Sequence, residues 1–270
     1  NIRNQCSWVH RKHPEDATKK AIDLVRMAVA KVALHQPLPE PSLEINQSAL
    51  IIGGGIAGMT AAKALTDQGY HTFIVEKEKD LGGQALCLHE TWRGEDIQQN
   101  LTKLIESTKT NDNIDIHLGT TIKAVDGFVG NFETTIQTKE EELTLAHGIT
   151  IVASGASELK PDAYLYGGDP RVITGLELDR KLIENDPSIG KQKTIVFIQC
   201  VGSRIPERPY CSKVCCTHSL KNALKLKEMN PEMDIFILYR DMRSYGLRED
   251  LYRKARRQGI HILRYDFEKG

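Results

Sequence analysis

"ALIIGGGIAGMTAAKALTDQGYHTFIVEKE", residues 49–78, reads as strand, Gly-rich turn, helix and strand in about thirty residues, which is a β-α-β unit. Gly53, Gly55 and Gly58 form G-x-G-x-x-G directly after the first strand and open the helix, the context in which this motif carries information. Gly53 permits the tight turn, Gly55 lets backbone approach a pyrophosphate, and Gly58 lets helix and strand pack closely. The helix start at Ile56 and Ala57 then faces the phosphate charge. Glu76 ends the second strand, 18 residues after Gly58, where an acid accepts hydrogen bonds from both ribose hydroxyls and disfavours a 2′-phosphate. The plainer alternative is a Gly-rich turn of an α/β protein with no ligand.

After Glu76 comes "KEKDLGGQ", residues 77–84. A Gly pair following the ribose-binding acid resembles the thioredoxin-reductase and glutathione-reductase class of FAD proteins. In that class Lys77, Gly82, Gly83 and Gln84 would lie along FAD. "ITIVASGA", residues 149–156, is similar to the segment that returns the chain past the cofactor, which brings in Ala153, Ser154 and Gly155. Ser154 stands where that class usually has Thr, and Ile122 would sit near the adenine.

The rest of the chain is organised around this unit. Residues 14–36 carry Ile22, Val25, Val29 and Val32 at helical spacing with Pro14 in the first turn, so one amphipathic helix is expected. The alternate prolines of "QPLPEPSLE" then mark a boundary near residue 42. Residues 43–160 read as the FAD-binding Rossmann-like domain, with a helix near 95–109, a strand at "NIDIHL" and an antiparallel meander formed by "TTIKAVDGFV", "FETTIQT" and "EELTLAHG". A polar connector over 161–190 leads to a second Rossmann-like α/β unit, 191–270. That unit has strands at "KTIVFIQC", "MDIFILYR" and "GIHILRY", and helices at 214–229 and "LREDLYRKARRQ".

Lys plus Arg and Asp plus Glu number 36 each, so net charge points to no nucleic-acid partner, and the absence of an uninterrupted 18-residue apolar stretch argues against a membrane span. Six cysteines are too few for a disulfide scaffold in 270 residues, and four of them fall within 200–216. That distribution points to metal or redox chemistry in a reducing compartment, by default the cytoplasm. The opening on Asn1 suggests an excised fragment.

Cys200, Cys211, Cys215 and Cys216 follow C-x10-C-x3-C-C, where a flavin disulfide reductase would carry its second Gly-rich fingerprint for NAD(P)H. Three readings compete. A redox dithiol would have to use the strained adjacent pair Cys215–Cys216. Structural zinc would have only Cys211–Cys215 as a partial knuckle. An iron-sulfur cluster can be surrounded by thiolates from a strand end and a helix start, and this reading is preferred. Lys213, His218 and Lys221 could offset its negative charge.

"CSWVHRKHPEDATKKAIDLVRMAVAK", "ALIIGGGIAGMTAAKALTDQGY", "GFVGNF" and "FIQCVGSR" with "YCSKVCC" together resemble the flavin-carrying A-type subunits of heterodisulfide reductases over nearly the whole chain. The resemblance implies an oxidoreductase subunit in which FAD exchanges electrons with a four-iron four-sulfur (4Fe-4S) cluster held by the cysteines at 200, 211, 215 and 216, with no side chain acting as acid, base or nucleophile. It implies partners among the other components of a redox complex, such as B- and C-like heterodisulfide reductase subunits, and hydrogenase or ferredoxin donors. Cys6 would be the last ligand of a cluster in a domain preceding this chain, or else a small core or surface cysteine. Cys87 is read as a buried apolar residue. The family's Gly-Asp return to the flavin and its ferredoxin cysteines are not found, so either cofactor could be lost from this fragment.

Overall fold

A computed structural model describes residues 1–40, 42–139 and 141–266. Pro41, part of the Pro-rich boundary, and 267–270, at the end of the second α/β unit, lie outside the described residues. The chain divides into two compact units, Asn1–Glu44 and Ile45–Gly270.

In the first unit a π-helical turn, Arg3–Trp8, holds the buried Cys6 and precedes helix α1, Pro14–Ala33. Pro14 sits in the first turn with Glu15 and Asp16, where the missing proline N–H is harmless and the acids complement the helix dipole. The expected apolar stripe is present but not covered: α1 buries no residue, and Ile22, Val25, Val29 and Val32 are all exposed.

The second unit contains two parallel sheets and one meander. Strands β1 (Ala49–Ile52), β2 (Thr72–Val75), β3 (Ile114–His117) and β7 (Ile149–Val152) form a sheet of order β3-β2-β1-β7, with Ala49 opposite both Thr72 and Ile149. Successive side chains of a strand point to opposite faces. Ile51 and Ile74 pack on one face with Met59 and Ala62 of helix α2 (Ile56–Thr66) and Leu101 of helix α3 (Ile97–Lys109). Leu50 and Val75 pack on the other face with Ile136 and Leu145. These last two come from the meander of β4 (Thr121–Phe128), β5 (Asn131–Gln137) and β6 (Glu142–His147). A strand flanked on both sides and covered on both faces must be apolar at every position, which is why "ALII" does not alternate.

The other parallel sheet, order β10-β9-β8, comprises β8 (Thr194–Ile198), β9 (Asp234–Tyr239) and β10 (His261–Arg264). Leu220, Ala223, Leu224 and Leu226 of helix α6 (Cys215–Met229) and Ala255 of helix α7 (Glu249–Arg257) pack with Ile235 and Ile237 of β9.

The stretch read as a polar connector differs from that reading. It contains helices α4 (Gly175–Ile183) and α5 (Pro187–Gly190), and Leu178, Leu182 and Ile189 join the second core. Thr174 and Glu177 cap α4 reciprocally, each side chain accepting from the other's backbone N–H. The T-x-x-E spacing was a legible helix start.

Glu177 also accepts from Lys160 Nζ and the Tyr166 hydroxyl, each at 2.8 Å. Burial opposes its charge, but Lys160, the Thr174 N–H and Tyr166 outweigh it and bring the carboxyl from 4.5 down to about 2. A depressed acid stabilises the fold above its unfolded pKa and loses that contribution as pH falls through its folded one. The urea midpoint is therefore expected to fall between pH 4.5 and about 2, and Glu177→Gln to flatten part of that limb; an unchanged acid limb in the variant would refute the assignment.

Candidate functional site

The three loops at the carboxyl ends of β1, β2 and β7 meet. Gly53 has φ +112°, and a Cβ there would come within 2.3 Å of the Ala153 carbonyl oxygen. At Gly58 a Cβ would lie 1.9 Å from the Gly53 carbonyl oxygen, so α2 packs on the loop as closely as backbone permits. A Cβ on Gly55 would meet nothing within 4 Å. That glycine precedes α2 without a side-chain cap, which leaves the first N–H groups of Ile56, Ala57 and Gly58 for an acceptor. Ile56 is exposed at this helix start.

Gly82 N–H donates to the Gly54 carbonyl at 2.9 Å, and Gly82 and Gly83 both have positive φ. A Cβ on Gly83 would sit 3.3 Å from Gly55 Cα, so the Gly pair lies against the Gly-rich turn. Gln84 donates to the carbonyl of Ala156, which ties the pair to the Ala153-Ser154-Gly155 turn. Glu76 is buried beneath the loop and accepts from Gly54 N–H at 2.6 Å and Glu78 N–H at 2.9 Å, one on each oxygen. A carboxylate has about four acceptor positions, so capacity remains for ribose hydroxyls. Lys77 points to solvent beside Glu78, and Ile122 packs against the core shared by Leu50 and Ile136. Lys77 belongs to the loop after β2, whereas Ile122 lies in β4, outside the three loops.

The second site lies at the carboxyl ends of β8 and β9. Cys200, Cys211, Cys215 and Cys216 line one pocket together with Ser203, Arg204, Lys213, Asp241 and Arg243. Cys200 follows β8, and Cys215 and Cys216 are the first two residues of α6. Cys200 (φ +64°), Arg204 (φ +58°) and Lys213 (φ +62°) all adopt left-handed backbone, a strain that persists only where surrounding structure enforces it. Burial raises the thiol pKa values of Cys215 and Cys216, and the neighbouring cysteine sulfurs push the same way. Among the described residues no three His, Cys, Asp or Glu side chains converge closely enough to hold a single ion; these cysteines surround a space instead.

The basic residues around the pocket are partly different from those expected. Lys213 lines it, and its N–H donates to Cys211 Sγ at 3.3 Å. His218 and Lys221 do not line the pocket and reach instead to Asp179 of α4. His218 Nε2 lies 2.7 Å and Lys221 Nζ 3.2 Å from that fully buried carboxylate. Lys221 also donates to the Glu90 carbonyl, which pins α6 to the first sheet's connecting loops. The buried Asp179 decides this, since both side chains pair with its carboxylate.

Arg204, Asp241 and Arg243 were missed. Arg204 was visible in "CVGSR", and the other two follow a strand end, where sites in such sheets collect. Cys87 is also corrected: it is half-buried and accepts from Arg180 Nε at 3.1 Å rather than packing as an apolar residue. Its place after the Gly pair brings it against α4, a helix that the polarity of its sequence concealed. Among the described residues no helix is long and apolar enough to cross a membrane.

Residues 47–196 match the protein-family model described as "Pyridine nucleotide-disulphide oxidoreductase". That match ends just before Cys200. The A-type subunit of the H(2):CoB-CoM heterodisulfide,ferredoxin reductase of Methanothermobacter marburgensis is 31% identical over 358 residues, covering 98% of this chain and 54% of that protein. The A-type iron-sulfur subunit of the CoB-CoM heterodisulfide reductase of Methanocaldococcus jannaschii is 32% identical over 357 residues with the same shares. The chain thus spans about half the length of the curated relatives it matches. The crystal structure of Lactococcus lactis thioredoxin reductase, 18% identical, superposes with a TM-score of 0.54 over 80% of this chain and 64% of that one, which gives the fold. The Rossmann-like, thioredoxin-reductase-like architecture read from the Gly-rich loop is therefore the observed one. With more than half of its length inside the family model, the chain belongs to the pyridine nucleotide-disulphide oxidoreductase family, as a homologue of the A-type subunits of heterodisulfide reductases.

Proposed function

We propose that the chain is a flavin and iron-sulfur electron-transfer part of a heterodisulfide-reductase-type oxidoreductase. In this reading Gly53, Gly55, Gly58 and the start of α2 hold the FAD pyrophosphate. Glu76 takes the ribose, and Gly82, Gly83, Gln84 and the 153–155 turn line the cofactor. Cys200, Cys211, Cys215 and Cys216 bind a 4Fe-4S cluster. FAD exchanges electrons singly or in pairs and a cluster singly, so the two together can pass a pair on as single electrons. The protein's own work is to hold both and offset the thiolates' charge with Arg204, Lys213 and Arg243. Partner subunits of a redox complex, supplied by ferredoxin or hydrogenase-type donors, would carry the remaining steps.

The observation that carries this reading is the gathering of four cysteines, from the end of β8, the loop that follows it and the start of α6, around one pocket with three left-handed residues on its wall. Anaerobic purification should yield flavin absorbance plus a broad shoulder bleached by dithionite, with iron and acid-labile sulfide in equal amounts. Flavin with stoichiometric zinc would eliminate the cluster. Thiolate-to-flavin charge-transfer absorbance without iron would instead favour a disulfide reductase.

A further inference from the structure

Arg204 has an unusual position. Its backbone is left-handed, and its carbonyl is held by Arg240 Nη1 at 2.8 Å. Its Nη2 donates to Asp241 Oδ2 at 2.5 Å, while the Asp241 carbonyl faces Cys216 Sγ at 3.7 Å. The guanidinium also lies within reach of the Cys200 sulfur. Yet Nη1 is buried and has no hydrogen-bond partner among the described residues. A buried charged donor left unpaired costs more than the net worth of an ordinary hydrogen bond, so a donor kept in this state calls for an acceptor. The pocket that Arg204 lines contains four sulfurs, and Lys213 N–H already donates to one of them.

We propose that Arg204 is a positioning residue that donates a charge-assisted N–H···S hydrogen bond to the sulfur of Cys200 or of the bound cluster and thereby raises the cluster's reduction potential. Asp241 sets the strength of that donation by sharing the guanidinium charge. The inference rests on the cluster reading given above. Adding one electron makes a thiolate-bound cluster more negative, so a fixed cation and a donor to sulfur favour the reduced form. Arg suits the task because its planar fork can hold Asp241 with one nitrogen and sulfur with the other, whereas a Lys ammonium presents a point charge.

The test is a mediated redox titration, followed by electron paramagnetic resonance, on the whole chain reconstituted anaerobically with ferrous iron and sulfide. At the wild-type midpoint, Arg204→Gln is expected to lower the reduced-to-oxidised ratio about tenfold, which is about 59 mV for a one-electron couple. Asp241→Asn, which leaves the guanidinium less neutralised, is expected to move the ratio the opposite way. A structural role alone would not reverse sign between the two. An unchanged potential in Arg204→Gln at wild-type iron content overturns the proposal and leaves the cluster reading standing. If Arg204→Gln assembles no cluster, Asp241→Asn decides: a raised ratio supports the proposal, and an unchanged or lowered one overturns it. A wild-type chain that takes up no iron and sulfide removes the cluster reading and this proposal with it.

Discussion

Gly58→Ala is expected to destabilise the flavin-binding half by about 3 kcal/mol, the upper end for overpacking, and to abolish flavin retention. The added Cβ would lie 1.9 Å from the Gly53 carbonyl oxygen, a backbone atom that no rotamer change can move aside. To make room, α2 must lift from β1, and the N–H groups at its start would lose their aim. For a domain of this size that loss corresponds to a fall of about 6–12 °C in the melting temperature. Gly55→Ala is the informative partner, because its Cβ meets no protein atom within 4 Å. That variant should melt near the wild type yet hold flavin more weakly, since the methyl group projects into the space a pyrophosphate would approach. Thermal circular dichroism with flavin quantified after gel filtration separates the two. Equal melting points for Gly58→Ala and the wild type would show that the close approach of helix and loop is wrong.

The second large effect concerns the thiols. Single Ala substitutions at Cys200, Cys211, Cys215 and Cys216 are each expected to reduce iron and acid-labile sulfide, after anaerobic reconstitution, to well under half of the wild-type amounts. A cluster site with three thiolates keeps an exposed iron and loses it readily. Cys87→Ala and Cys6→Ala should leave the iron content unchanged, because neither lines the pocket. Full iron in Cys215→Ala would remove Cys215 from the ligand set, and full iron in all four variants would remove the cluster. Zinc held by the wild type and lost in the same four variants would return the pocket to a structural role. The adjacency of Cys215 and Cys216 makes sense at the first two positions of α6, where the backbone N–H groups are unbonded within the helix and favour negative charge.

Residue patterns alone were sufficient wherever the chemistry is local. The Gly-x-Gly-x-x-Gly turn needs only the missing Cβ atoms to be legible, and the order of strands and helices follows from apolar period. The C-x10-C-x3-C-C spacing likewise marked four residues that the fold places around one pocket. Helix α4 was missed because "TGLELDRKLI" has the polarity of a surface loop, although its capping pair was in view. The side on which His218 and Lys221 lie could not be read from their nearness to Cys215 in the chain. It depended on Asp179, 39 residues before His218, being buried where α6 could pair with it. A buried carboxylate must be paired, and the Lys221 ammonium and the His218 ring nitrogen are the groups that pair it.

Sequence by itself thus determined the strands of the two parallel sheets, the Gly-rich turn beside Glu76, and which four cysteines line one pocket, all of which rest on spacing along one strand, turn or helix start. Tertiary structure alone decided which cations face those thiols. It brings Arg204, Asp241 and Arg243 to the pocket from the ends of two different strands, and it turns His218 and Lys221 away. The physical reason is that charge neutralisation acts across space within a few ångströms, without regard to separation along the chain.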